Sequence, residues 1–275
     1  MVGGKRFIKV LLNVVAWIVS LIMMIPLLLM FINSLKDKAQ ADAMSMELPK
    51  KLIFHFENYI TVIEKGKLFT SFFNSMIYAG FAIIITVIFT LMASYVLARN
   101  KSKLNNFFYF FFILGLAIPV SYIPLMKIMQ VLKLNNTMIG IILIYAAIQI
   151  PLGILLSYAF IASIPVEMDE AGIIDGCNPI RLFFSIIVPL LKPVTVTLGI
   201  LCFIDAWNQF QAPLYFLNSA TKWPMTLSVY NFFGQYSQSW NLVSADVVLT
   251  SLPVLIFYIL GQKYIISGMT AGSVK

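Results

Sequence analysis

The stretch EAGIIDGCNPIRLFFSIIVP, residues 170–189, decides how this chain is read. With Glu167 and Asp169 just before it, four of the chain's eleven acids fall within residues 167–175. Long uncharged runs lie on both sides. Locally the sequence reads as helix, turn, helix. Ser163 is expected to cap the first helix, and Pro165 is tolerated in its first turn. Glu167, Asp169 and Glu170 then stand near the positive end of the helix dipole, where acids are favoured. Gly176 is placed to adopt the left-handed conformation just past the helix end, and a side chain there is expected to clash with the tight turn. Asn178-Pro179 restarts the chain as N-cap and first helical residue. The second helix, IRLFFSIIV, is almost wholly apolar, and Pro189 and Pro193 bend it into the next segment. At 100° per residue the four acids point in different directions, so they make a poor metal site. Capping and solvation account for part of them. What remains is a compact knob, part acidic and part apolar, suited to docking into a cleft of a partner protein.

The knob stands between membrane spans. Of 275 residues, 60% are hydrophobic and 11% charged, against about 25% charged in soluble domains. The fold class is therefore all-α, a polytopic membrane protein. A helix needs about 20 mostly apolar residues to cross the hydrocarbon. Six runs qualify, at about 10–33, 72–98, 106–130, 138–162, 194–218 and 244–266, within one domain covering 1–275. The first run follows MVGGKRFIK; it is too long for a signal peptide, lacks an obvious small-residue cleavage site, and is expected to stay as a span. Lys5, Arg6 and Lys9 precede it, and Arg99, Lys101 and Lys103 follow the second. These clusters fall on one side, which the positive-inside rule makes cytoplasmic. Both termini and the loop 163–193 then face the cytoplasm. The net charge of +8 is an orientation signal; its scattered bases form no stripe for nucleic acid. The single histidine, His55, and the two cysteines, Cys177 and Cys202, have no metal-ligand spacing. No catalytic triad, phosphate loop or dinucleotide fingerprint occurs. No catalytic residue, metal or cofactor is expected in this chain, and it is not expected to be an enzyme.

The pattern Glu170-Ala171-Gly172, three residues, Gly176, nine residues, Ile186, one residue, Val188-Pro189 resembles the "EAA" loop of ATP-binding-cassette (ABC) importer permeases. That loop usually reads E-A-A-x3-G-x9-I-x-L-P. Gly172 and Val188 depart from it, and Gly172 is expected to soften the first helix by about 1 kcal/mol relative to Ala. The resemblance extends to residues 105–143 with their paired Pro119 and Pro124, to AWNQFQAPLYFL at 206–217, and to the ending SGMTAGSVK at 267–275. It is most similar to the smaller, MalG-like subunit of the maltose-type carbohydrate permeases. This implies a type I ABC importer fold in a bacterial plasma membrane. It also implies a second, homologous permease, an ATPase dimer that holds ATP and magnesium, and an extracellular sugar-binding protein. The resemblance makes the cytoplasmic loop the joint to the ATPase. Glu170, Ala171, Gly172 and Gly176 carry the coupling, Pro189 closes the motif, and Asp175 and Arg181 are placed to pair with charges on the ATPase.

An ionisable group at bilayer depth is costly and points to function. Asp205 is nearly central in the fifth run. On a straight helix Asp205, Asn208, Gln209 and Ala212 share a face, with Trp207, Phe210 and Tyr215 nearby. Carboxylate and amide groups beside aromatic rings suit a sugar. The resemblance supports Asn208 in the pathway, whereas it usually shows a small or apolar residue at Asp205. Two readings of Asp205 stand: it accepts hydrogen bonds from the sugar or tunes the partner's site, or it makes a structural polar contact with the partner permease. Tyr122, Gln149, Tyr145 and Asn74 are further lining candidates, and Pro119, Pro124 and Pro151 are expected to break their spans beside a cavity. The stretch 222–245, KWPMTLSVYNFFGQYSQSWNLVSA, either meets the delivery protein or forms an aromatic belt at the interface. A rival class is an ion-coupled secondary sugar carrier protonated at Asp205. It wants an internal repeat, which is not evident, and leaves the loop motif unexplained.

Overall fold

The computed structural model describes residues 2–233 and 238–271, and the side chains of 8–233 and 238–264. The side chains of Lys5, Arg6 and the SGMTAGSVK ending, and residues 234–237 of the 222–245 stretch, lie outside the described residues. Among the described residues the regular structure is helical, with one isolated bridge between Phe233 and Gln238. The chain divides into two compact units, 1–69 with 228–252, and 70–227 with 253–275.

The first unit begins with α1 (Val2–Ser34), whose residues 8–28 are exposed throughout while its end, at Asn33 and Ser34, is buried. After it come the short α2 (Lys38–Ala41), capped by Asp37, and α3 (Glu57–Lys65). A helix end leaves carbonyls unpaired, and here buried side chains take them up. Asn58 Nδ2 donates to the Ser34 and Lys36 carbonyls at 2.8 and 2.9 Å. Asn241 Nδ2 donates to Asn58 Oδ1 at 2.8 Å. Lys36 is buried, and its Nζ donates to the Ser45 carbonyl at 2.7 Å and to Asn33 Oδ1 at 3.1 Å. Burial pushes its ammonium below the ordinary lysine pKa, with the charge of Glu47 opposing.

The second unit holds α4 (Leu68–Arg99, from Thr70), α5 (Lys103–Leu114), α6 (Tyr122–Val131) and α7 (Met138–Ser163). Then come α8 (Glu167–Ile174), α9 (Pro179–Leu190), α10 (Lys192–Asn208), α11 (Gln211–Phe216) and α12 (Met225–Ser228). The last helix, α13 (Trp240–Ala271), enters this unit from residue 253. Ser102 and Thr137 cap α5 and α7 by accepting from the amides of Asn105 and Gly140. Thr86, Thr90 and Ser94 recur every four residues on α4 and are fully buried against α7. Thr86 and Ser94 hydroxyls reach the Ala146 and Ile154 carbonyls at 3.4 and 3.3 Å. A Cβ on Gly153 of α7 would lie 2.5 Å from Thr90 Cγ2. Small residues of this kind let two helices approach in a lipid setting, where hydrophobicity alone does not join them.

Four of the described helices are long and apolar enough to cross a membrane: α1, α4, α7 and α13. α9 and α10 meet at a 76° bend at Leu191, and the pair reaches the length and composition of a fifth span only when both are counted together. The expected span at 106–130 is not one helix. α5 stops at Leu114, 115–121 is irregular, and α6 starts at Tyr122. The expected proline breaks form only in part. Pro119 lies in the break, Pro124 sits in the first turn of α6, and Pro151 lies inside an α7 that runs on unbroken. Pro151 instead receives Gly115, where a Cβ would come within 2.8 Å of its ring.

Candidate coupling loop and pathway

The loop after α7 is built as two limbs. Asn178 accepts from the Arg181 amide at 2.8 Å and caps α9, with Pro179 in the first turn. Gly176 has φ +78°, its amide donates to the Ile173 carbonyl, and the Cys177 amide donates to the Gly172 carbonyl, both at 3.0 Å. That pair of bonds is a Schellman ending. Ser163 does not cap α8. Its hydroxyl turns back to the Phe160 carbonyl, and α8 starts after Val166 with no side-chain cap. The expected clash at Gly176 is also absent, since a Cβ there meets nothing within 4 Å. The demand at this position is backbone conformation alone.

Gly172 has the steric role instead. Its Cβ would stand 2.5 Å from Leu182 Cδ1 and 2.8 Å from Ile186 Cδ1, so the absent methyl lets α8 lie against α9. Within α9, residues Leu182–Ile187 form a π turn. Leu182, Phe183 and Ile187 are buried, the last two in a cluster with Leu91, Ala98, Ile161, Leu191 and Val194. The cluster fixes the loop's inner side to the ends of α4, α7 and α10. The outer side is open. Ile173, Ile174 and Ile180 are 61%, 85% and 71% exposed, beside exposed Glu170, Asp175 and Arg181. Those three isoleucines were missed in the sequence, where they read as ordinary apolar filler. Ala171 and Pro189 are exposed as well.

One acid of the loop is not at the surface. Asp169 is 6% exposed, and Tyr95 Oη of α4 donates to its Oδ1 at 2.5 Å. Arg99 Nη2 lies 2.7 Å from Oδ2, an ion contact whose N–H direction is off the hydrogen-bond axis. Arg99 Nη1 donates to the Ile164 carbonyl at 3.0 Å. The same Tyr95 ring tilts onto Phe183 at 5.3 Å, so α4 touches both limbs through one side chain. In the sequence Arg99 counts only as an orientation charge. No sequence spacing joins positions 99 and 169.

The pathway candidates separate. α10 ends at Asn208, Gln209 is extended, and α11 begins at Gln211, so the straight-helix face with Ala212 does not form. Asp205 is half-buried and accepts from Gln209 Nε2 at 3.1 Å. No ion pair to Asp205 is found among the described residues. Tyr122 stacks on Tyr215 with centroids 5.0 Å apart and planes at 16°, and Asn208 is exposed. The buried Tyr145 hydroxyl has no hydrogen-bond partner among the described residues. Gln149 is buried with Cys202 Sγ 3.8 Å from its Oε1. Two candidates make contacts within the chain. Trp207, 1% exposed, stacks on Phe203 and meets Phe72 edge-on. Asn74 donates to the Thr221 and Trp223 carbonyls at 2.9 and 3.1 Å and so holds a loop. Among the described residues no group of His, Cys, Asp and Glu is placed to bind a metal.

A sequence model of the family described as binding-protein-dependent transport system inner membrane component matches residues 87–270. The chain is 33% identical over 268 residues, 97% of each chain, to the probable starch degradation products transport system permease protein AmyC of Thermoanaerobacterium thermosulfurigenes. It is 34% identical over 268 residues, 96% of each, to the melibiose/raffinose/stachyose import permease protein MelC of Bacillus subtilis. Among solved structures, a chain of a bacterial ABC transporter involved in import of the acidic polysaccharide alginate superposes with a TM-score of 0.80. That match has 25% identity and covers 95% of this chain and 97% of the other.

Proposed function

The chain belongs to the family of binding-protein-dependent transport system inner membrane components, and from that premise we propose that it forms half of the membrane pathway of an ATP-driven importer of neutral oligosaccharides. A permease of this kind is a transport subunit and not an enzyme. The observation that carries the reading is the loop 163–193: a capped, glycine-turned pair of limbs, anchored on one side and presenting Ile173, Ile174 and Ile180 with Glu170, Asp175 and Arg181 on the other. Exposed apolar groups rimmed by charge fit a docking cleft. The occupant of that cleft would be this loop, and the cleft would lie on an ATPase dimer carrying ATP and magnesium. Glu170, Ala171, Gly172 and Gly176 would set the loop's shape, with Asp175 and Arg181 meeting charges there and Pro189 turning the chain into α10.

A second homologous permease would complete the pathway. Irregular backbone at membrane depth is tolerated only when covered by protein or beside water. Residues 115–121 are exposed in this chain, which suits a face turned to that partner or to the aqueous path. The Tyr122–Tyr215 stack, Asp205, Gln209 and Asn208 would offer ring faces and hydrogen-bonding groups to a saccharide. An unpaired carboxylate there favours a neutral sugar over an acidic one. An extracellular binding protein would deliver the sugar, with both termini in the cytoplasm of a bacterial cell. Neither the family nor the relatives support the ion-coupled carrier protonated at Asp205. The test is uptake of labelled maltotriose and raffinose into vesicles containing this chain with its partner permease, ATPase and binding protein. Uptake must require ATP and persist under a protonophore; uptake driven by a proton gradient without ATP would refute the proposal.

A further inference from the structure

The helix α4 is tied at both ends by side chains that no motif assigns. At one end Tyr95 and Arg99 hold Asp169 and the Ile164 carbonyl of the coupling loop, while the Tyr95 ring bears on Phe183. At the other end Asn74 holds the carbonyls of Thr221 and Trp223, and Tyr78 Oη donates to the Lys222 carbonyl at 2.8 Å. Ser75 Oγ accepts from the Met225 amide at 2.9 Å. Directly after this clamped segment, Thr226 Oγ1 donates at 2.8 Å to the Gln209 carbonyl, at the break between α10 and α11. Gln209 in turn holds Asp205. Between Tyr78 and Tyr95 the helix carries no proline and only one glycine, Gly80, and it runs unbroken from Leu68 to Arg99.

We propose that α4 is a through-membrane strut that couples the cytoplasmic loop to the outer segment 221–226, and through Thr226 and Gln209 to Asp205. From Asn74 to Tyr95 it spans about 30 Å at ~1.5 Å per residue, about the thickness of the hydrocarbon core. A helix is stiff along its axis, and hydrogen bonds fix each end. A displacement of the loop therefore reaches the outer segment without passing through α7 or α10, the helices joined to the loop covalently. Tyr95, Arg99 and Asp169 are positioning residues at the driven end, and Asn74, Ser75 and Tyr78 at the responding end.

This inference rests on the importer reading, and the test separates the two. The variants Tyr95→Phe and Tyr78→Phe each remove one hydroxyl and keep the ring. The complex of this chain with its partner subunits is purified, and ATP hydrolysis is measured with and without binding protein loaded with maltotriose or raffinose. Both variants should assemble and keep basal hydrolysis. Each should lose roughly threefold to tenfold of the stimulated rate, the scale of one hydrogen bond. In the double variant the loss should be no larger than the greater single loss, because either break disconnects the same rod. Unchanged stimulation in both variants, or losses that simply multiply, would overturn the strut. Failure of either variant to assemble would make these bonds folding elements and overturn it too. A wild-type complex with no stimulation at all would instead sink the importer reading.

Discussion

The residue at 172 yields a prediction against the grain of its family, whose usual residue there is Ala. On an isolated helix Gly172→Ala would stabilise α8 by about 1 kcal/mol. Here the new methyl would stand 2.5 Å from Leu182 Cδ1 and 2.8 Å from Ile186 Cδ1. Overpacking of this kind costs about 1–3 kcal/mol. The opposing atoms are ends of flexible side chains, which keeps the cost toward the lower part of that range. The net effect is a destabilisation of about 0–1 kcal/mol, up to a roughly fivefold increase in local opening. The sign should reverse in a background carrying Leu182→Val and Ile186→Val, which lacks both Cδ1 atoms. There the helix term acts alone, and Gly172→Ala should slow opening about fivefold. Hydrogen–deuterium exchange of the α8 amides in the purified complex reads both effects. If the substitution slows exchange equally in the two backgrounds, the packing argument is wrong and Gly172 is an ordinary helix glycine.

Gly176→Asn should retain most uptake and Gly176→Val should lose most of it, with both proteins reaching the membrane. An L-residue in the left-handed region costs about 1–2 kcal/mol, least for Asn and most for a β-branched side chain; equal uptake in the two would show that φ is not the constraint. Asp205→Asn should lower uptake efficiency for a neutral trisaccharide roughly tenfold, the scale of a hydrogen bond to a charged group, and should lessen discrimination against a uronic-acid oligosaccharide. Unaltered kinetics for both sugars would remove Asp205 from the pathway. Outside the membrane, the His55 hydrogen bond holds the Glu57 carboxyl below its ordinary range. A depressed acid contributes stability above the unfolded value near about 4.3 that is lost as pH falls through the folded one. His55→Ala should raise the Glu57 pKa in an isotope-edited titration, and a fixed value would rule out the bond.

The knob was legible because its signals are local. Asn178-Pro179 and Gly176 act on their own neighbours, and the N-cap, the first-turn proline and the left-handed turn all form. The spans were legible wherever helices are continuous. The errors arose where distant residues decide. Ser163 reads as a cap in sequence, but its hydroxyl is taken by the preceding turn. The break at 115–121 has the composition of a span, and hydropathy does not register that Gly115 fits the ring of Pro151. The proposed face Asp205–Asn208–Gln209–Ala212 assumed a helix that stops at Asn208. Asp169 reads in sequence as one of three acids at a helix N-terminus, though its partners lie about 70 positions earlier, at Tyr95 and Arg99.

The interrupted segment 103–131 also constrains how the protein is made. As it leaves the ribosome, residues 104–126 form an uncharged apolar run that insertion machinery will accept as one ordinary crossing. The irregular turn at 115–121 would leave backbone groups bare in lipid, at several kcal/mol each. It is therefore unfavourable until something covers it. Pro151, against which Gly115 packs, lies twenty residues beyond the end of that segment and arrives with the next span. Packing on Pro151 leaves residues 115–121 exposed, so the cover that the turn needs in a membrane must come from a partner subunit or from water.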